Sequence, residues 1–236
     1  MQCQSNATES WKDLLGLALP ALKQLPKEIE WDLGGGTALM LFIKHRISKD
    51  VDIFFENARA LKLLAPSANV LTKKICDDWQ QPGHYIKLIK YGKGEIDFLV
   101  SRTFEDNPNI AYDFIYNNQK QPIRVETPKE ILSRKIFHRA SQFTIRDIFD
   151  TASVIEYDPK ILTSLSLDVV EKLPLAINRV KTLQNEYTKE ILNYIIPLNI
   201  QEHILKDAPE MAIEMFSREL ARANRRERFK DTKLGF

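Results

Sequence analysis

The sequence predicts an α+β protein, with a mixed sheet and helices in residues 1–126 followed by a helical C-terminal domain in residues 127–236. Two observations carry that prediction. Up to Glu126, short β-branched and aromatic runs alternate with helical stretches and are punctuated by glycine and asparagine turns. From Thr127 onward the apolar residues recur at helical spacing. No repeat and no low-complexity linker intervenes, so the boundary reads as a change of architecture and not as a flexible joint.

Taken in order, Ser10–Leu22 reads as a first amphipathic helix and Ile29–Leu33 as a strand entering Gly34-Gly35-Gly36. Thr37–Lys44 follows as a helix and Val51–Phe55 as a strand. Arg59–Ala65 is a helix stopped by Pro66. Asn69–Cys76, Tyr85–Tyr91 and Glu95–Ser101 read as strands, the last two joined as a hairpin by Gly92-Lys93-Gly94. Asn107–Asn109 and Asn117-Asn118 mark loops, with further strand around Phe114 and Arg124. Thr127-Pro128-Lys129-Glu130 combines an N-cap hydroxyl, proline at the first helical position and an acid in the first turn. Helices are expected at Pro128–Arg139, Ile145–Tyr157, Asp168–Gln184, Glu186–Ile195 and Pro209–Glu227.

At 236 residues the chain can bury a substantial core, and 44% hydrophobic with 28% charged residues is ordinary for a globular protein. No apolar run approaches the roughly 20 residues that span a bilayer, and no membrane partner is expected. The N-terminus lacks the basic start of a signal peptide. Cys3 and Cys76 suggest neither a disulfide framework nor a metal site, which points to a reducing cytoplasm. A net charge of +2 selects no partner. The final stretch from Ser217 carries Arg218, Arg222, Arg225, Arg226, Arg228, Lys230 and Lys233, which reads either as a solvated helix or as a phosphate-backbone contact.

The chemistry concentrates between Leu33 and Phe55. Side chains alternate along a strand, so Asp50 and Asp52 project to one side while Val51 and Ile53 point to the other. Two carboxylates beside a glycine turn suit a two-magnesium site for phosphoryl or nucleotidyl transfer, because Mg²⁺ takes one or two carboxylates and leaves positions for substrate phosphates. Asp97, set between apolar residues in a strand expected to be central, is the third acid, and Glu95 on the same face is the reserve. Gly35 and Gly36 let the backbone approach a triphosphate, with Thr37 as a hydroxyl donor at a helix N-terminus. Arg46 admits two readings: a phosphate clamp, or an ion pair with Asp50 or Asp52. His45 reads as a packed or capping histidine. Lys135, four residues before Arg139, could reach a triphosphate. Asp147 and Asp150 share a helix face, with Arg146 placed to pair with Asp150, and from the residues alone these are helix surface.

The succession Gly-Gly-Thr-Ala-Leu, His-Arg-x-Ser-x-Asp-x-Asp-x-Phe-Phe, a strand Ile-Asp, a helix bearing Lys, and Arg-Asp-x-x-Asp resembles the AbiEii-type nucleotidyltransferases, toxin components within the DNA polymerase β superfamily. The likeness runs from about Leu33 to Ile155. Ala58–Lys90 matches no part of the pattern, and beyond Tyr157 only a helical domain is shared. The resemblance implies Asp50, Asp52 and Asp97 as ligands of two Mg²⁺ ions, and Gly35, Gly36 and Thr37 as the phosphate-binding turn. It implies Lys135 as a contact of nucleotide phosphates and Asp147 as the acid of the last motif. It further implies a nucleoside triphosphate substrate, an acceptor that is RNA (such as the tRNA 3′ end) or protein, and a separate antitoxin. Two rival readings stand beside it: a nucleotidyltransferase acting on a small molecule such as an antibiotic, and a non-catalytic nucleotide-binding protein of the same fold.

Overall fold

The computed structural model describes the backbone of residues 2–199 and 202–233, and the side chains of 9–199 and 202–226. The chain divides into two compact units. The first comprises residues 1–42, 47–103 and 107–127, and the second 43–46, 104–106 and 128–236.

The first unit is built on a seven-stranded sheet: β1 Asp32–Gly34, β2 Val51–Phe55, β3 Asp78–Gln80, β4 Tyr85–Lys90, β5 Gly94–Val100, β6 Asn109–Tyr116 and β7 Gln119–Glu126. The strand order is β3-β4-β5-β2-β1-β7-β6. β2 lies parallel to β5 and antiparallel to β1, while β1 lies parallel to β7. The sheet is therefore mixed, as the sequence predicts. In β2, Val51, Ile53 and Phe55 are buried while Asp52 and Phe54 are half-buried; in β5, Ile96 and Phe98 are buried and alternate with half-buried Glu95, Asp97 and Leu99. This period-two pattern puts the apolar residues into the core and the acids on the opposite face. Helix α1, Gln2–Leu22, supplies Trp11, Leu14, Leu15 and Ala18 to the buried core. Trp11 packs on Phe114 of β6 with ring centroids 5.6 Å apart. A Cβ on Gly16 would stand 2.4 Å from the Tyr116 ring, so glycine permits this close approach of α1. Helix α2, Gly35–Ile43, follows β1 directly.

Three expectations fail in this unit. The strand expected at Ile29–Leu33 starts only at Asp32 and runs to Gly34, taking in the first glycine of the turn. Asn69–Cys76 is not a strand: after α3, Arg59–Leu64, the chain forms a short helix α4, Val70–Ile75. The Asn69 side chain accepts hydrogen bonds from the amides of Leu71 and Thr72, both at 3.0 Å, and this cap outweighs the β-branched content of the segment. The edge strand β3 was not expected, because all three of its residues are exposed and leave no apolar alternation to read. The asparagine turn between β6 and β7 is tighter than a loop: Asn117 and Asn118 both take left-handed backbone (φ 49° and 59°), the conformation of a two-residue hairpin turn.

The second unit is helical: α5 Pro128–Arg139, a 3-10 turn at Ala140–Gln142, α6 Ile145–Tyr157, α7 Leu167–Val170, α8 Leu173–Tyr194 and α9 Glu202–Lys233. The bounds of α5 and α6 coincide with those expected. The expected helices Asp168–Gln184 and Glu186–Ile195 are redistributed. Pro174, which cannot donate a helical hydrogen bond, falls in the first turn of α8, and that helix then runs unbroken to Tyr194. Helix α9 begins before Pro209 and carries it inside. Phe143 meets Phe216 edge-on at 6.1 Å, and the Tyr187 hydroxyl donates to the Ile204 carbonyl at 3.0 Å. Residues 104–106 belong to this unit because Glu130, fully buried, accepts the amides of Phe104 and Glu105 at 3.0 Å, and Lys129 pairs with Glu105 at 2.6 Å.

Candidate functional site

In the first unit, register brings the acids together. Asp52 of β2 stands beside Asp97 of β5, and Asp97 stands beside Lys87 of β4. Gly34 of β1 lies on the other side of Asp52. Register partners share a sheet face, so Gly34, Asp52, Asp97 and Lys87 form one row across four strands. Asp50, just before β2, joins the same face: its Oδ1 accepts the Glu95 amide at 3.1 Å. Lys87 Nζ donates to Glu95 Oε2 and lies 3.2 Å from Asp97 Oδ2. Asp97 Oδ1 is buried and has no hydrogen-bond partner. Burial pushes the Asp97 carboxyl above the usual carboxylate range, with Lys87 pulling against it. Burial also opposes the Lys87 ammonium, yet the Glu95 and Asp97 carboxylates outweigh it and raise its pKa.

The glycine turn is shaped around Asp52. Gly35 has φ +64°, and a Cβ there would sit 1.9 Å from Asp52 Oδ2. Gly36 follows in the first turn of α2. Thr37 lies elsewhere than its expected role requires. It is fully buried, and its hydroxyl donates to the Asp50 carbonyl at 2.5 Å and faces Ser48 Oγ at 3.1 Å. In this structure Thr37 holds the backbone that carries Asp50.

The remaining predicted residues gather in the second unit. Asp150, fully buried, accepts Arg46 through both oxygens, Nε to Oδ1 at 2.6 Å and Nη2 to Oδ2 at 2.8 Å. His45 Nε2 meets Asp150 Oδ1 at 2.9 Å, and Lys135 Nζ donates to Asp150 Oδ2 at 2.5 Å and to Asp147 Oδ1 at 2.9 Å. Arg139 reaches Asp147 Oδ2 at 3.0 Å. Asp147 also closes the capping box of α6: it accepts the Thr144 amide at 2.9 Å while its own amide donates to Thr144 Oγ1 at 3.2 Å. Burial alone would raise Asp150, but Arg46, Lys135 and His45 hold it well below the usual range. Burial likewise opposes Lys135, which Asp150 and Asp147 nevertheless raise. Burial lowers His45, keeping it neutral, and its Nδ1 has no hydrogen-bond partner.

Asp147 and Asp150 are therefore not helix surface. Arg46 pairs with Asp150, a partner the sequence reading did not offer it, and Asp150 meets His45, Arg46 and Lys135 where Arg146 was expected. Sequence reasoning missed Lys87, although a signal existed. Pairing Lys90 with Gly94 at the hairpin turn sets Lys87 opposite Asp97.

The donor chemistry of the first-unit acids suits a hard divalent cation: carboxylate oxygens with one buried oxygen of Asp97 left over. Among the described residues no group of three or more acidic, histidine or cysteine side chains forms a ready-made metal cage. Also among the described residues, no helix is long and apolar enough to cross a membrane.

Residues 17–234 match the family described as "Nucleotidyl transferase AbiEii toxin, Type IV TA system". None of the curated proteins matches the chain in sequence. Among solved structures, a candidate nucleotidyltransferase from H. pylori superposes with a TM-score of 0.51 at 13% identity, over 92% of this chain and 96% of that one, a likeness of fold. The lincosamide antibiotic adenylyltransferase LnuA, bound to lincomycin, gives 0.42 at 16% identity over 60% and 94%. The STING-associated CdnE c-di-GMP synthase from Capnocytophaga granulosa gives 0.33 at 12% over 93% and 82%.

Proposed function

Because the chain belongs to the AbiEii family of nucleotidyl transferase toxins, we propose that it moves a nucleotide from a nucleoside triphosphate onto an acceptor at the face bearing Asp50, Asp52 and Asp97. The observation that carries this reading is the register of β2 and β5, which stands Asp52 beside Asp97, with the Gly35 turn closed against Asp52. Asp50, Asp52 and Asp97 would hold two Mg²⁺ ions. When bound, these supply Lewis-acid stabilisation of charge on the triphosphate and its leaving pyrophosphate. Asp97 Oδ1, without a hydrogen-bond partner, is the oxygen of that carboxylate left to serve as a ligand. The Gly35-Gly36 turn leaves backbone for phosphate to approach, and Thr37 steadies Asp50 from behind.

Family resemblance assigns Lys135 to nucleotide phosphates and Asp147 to the last motif. Both are engaged with each other and with Asp150 or Arg139, so a phosphate would have to compete with those carboxylates for Lys135. Arg46, held through both oxygens of Asp150, supports a positioning role in place of a phosphate clamp. The acceptor we favour is RNA, such as the tRNA 3′ end, in the cytoplasm, with an antitoxin restraining the activity. The arginines of α9 at 218, 222, 225 and 226 supply charge for a phosphate backbone.

The test is transfer of label from each α-³²P triphosphate, with Mg²⁺, onto total cellular RNA by wild type, Asp52→Ala and Asp97→Asn. We expect a discrete labelled RNA with wild type and loss of at least about a hundredfold in either variant, since even outer-shell partners of a metal are worth 10–100-fold. Label that persists undiminished in both variants would remove this face as the active site. Label on protein or small molecules alone would redirect the acceptor.

A further inference from the structure

The row across the sheet contains a cation that the proposed chemistry does not require. Asp50, Asp52, Glu95 and Asp97 crowd one face, and Lys87 on β4 projects into them, bonded to Glu95 Oε2 and 3.2 Å from Asp97 Oδ2. The lysine is half-buried (22% exposed), so its ammonium is only partly screened by solvent. It divides the two oxygens of Asp97: Oδ2 is occupied by Lys87, and Oδ1 stands buried without a partner. We propose, resting on the reading of this face as the metal-dependent transfer site, that Lys87 is a positioning residue. It restricts Asp97 to single-oxygen ligation and, as a resident positive charge, opposes divalent-cation binding until a triphosphate brings its own negative charge. Cation and nucleotide then enter together, and the nucleotide-free protein keeps Glu95 and Asp97 paired with an ammonium.

The physical basis is Coulombic. Four carboxylates on one face attract a divalent ion strongly, and a fixed unit charge a few ångströms away in a partly buried site offsets a large share of that attraction. Glu95, tied to the same ammonium, is thereby kept from acting as an alternative ligand to Asp97.

The experiment measures Mn²⁺ binding to the full chain, by calorimetry and by loss of the free-ion spin-resonance signal. It is done without nucleotide and with a mixture of the four α,β-methylene triphosphates, for wild type, Lys87→Met, Lys87→Arg and Asp52→Ala. Thermal melts report that each variant is folded. Lys87→Met is expected to bind nucleotide-free Mn²⁺ at least about tenfold more tightly than wild type, with little change when the analogues are present. Lys87→Arg, which keeps the charge, should behave as wild type. If Lys87→Met binds nucleotide-free Mn²⁺ no more tightly while wild type binds it with the analogues, the role of Lys87 is wrong and the site stands. If wild type and Asp52→Ala bind Mn²⁺ alike with the analogues, the site itself is wrong and the inference falls with it.

Discussion

At the scale of single residues, the second unit turns on Asp150. One buried carboxylate receives a guanidinium through two bonds, an ammonium and an imidazole. Removing it deprives buried Arg46 of a bidentate carboxylate and leaves Lys135 with Asp147. Asp150→Ala should lower unfolding stability by about 3–5 kcal/mol, the range for breaking a buried pair, read from denaturant titration followed in the helical signal. Asp150→Asn should lose less, because it keeps an acceptor. His45 adds a pH dependence of opposite origin to a salt bridge. Burial depresses its pKa below 6.5, so the unfolded chain takes a proton more readily than the folded one. Its contribution is whole above pH 6.5 and is lost as pH falls toward the depressed folded value. Wild-type stability should thus decline with acidification from about pH 6.5, and His45→Gln should flatten that decline. An unchanged slope in the variant would place the titration elsewhere. Asp150 and Asp147, both depressed by their cations, act at lower pH, their stabilisation being lost only as pH falls below 3.8.

At the scale of elements, the junction of β1 and α2 admits little but glycine. Gly35 combines left-handed backbone with a Cβ position already filled by the Asp52 carboxylate. Gly35→Ala must displace Asp52 as well as strain its own backbone. The expected result is a loss of transfer comparable to Asp52→Ala together with at least about 1 kcal/mol of stability. Gly92→Ala is the control. It also has positive φ, but no atom lies within 4 Å of its Cβ position, so it should show the backbone effect alone and leave transfer intact. The α4 helix offers a second test. Asn69→Ala removes the one side-chain oxygen that accepts two backbone amides and should cost about 1 kcal/mol, detected as a lower unfolding midpoint with transfer unchanged.

At the scale of the whole molecule, the chain does not divide at a single cut. His45 and Arg46 lie early in the sequence yet belong to the second unit, where the His45 carbonyl accepts the Leu198 amide at 3.0 Å. A fragment of residues 128–236 would lack Arg46 and leave Asp150 with Lys135 alone. It should show helical far-ultraviolet signal but lack the fixed near-ultraviolet signal of packed aromatics. Sequence by itself determined the mixed sheet, the bounds of β2, α5 and α6, and the family to which the motif order points. These are local matters: period-two and period-3.6 patterns, caps and glycine turns act over a few residues and can be read from a few residues. Only the tertiary structure decided that Asp150 and Asp147 are buried, that Arg46 serves Asp150, that Thr37 braces Asp50 and that Lys87 lies against Asp97. Each of these depends on which distant segment supplies the opposite charge. A carboxylate on an exposed helix and one in a buried ion network look alike until their partner, 104 residues away for Arg46 and Asp150, is brought beside them, because burial makes a charge tolerable only where its counter-charge arrives with it.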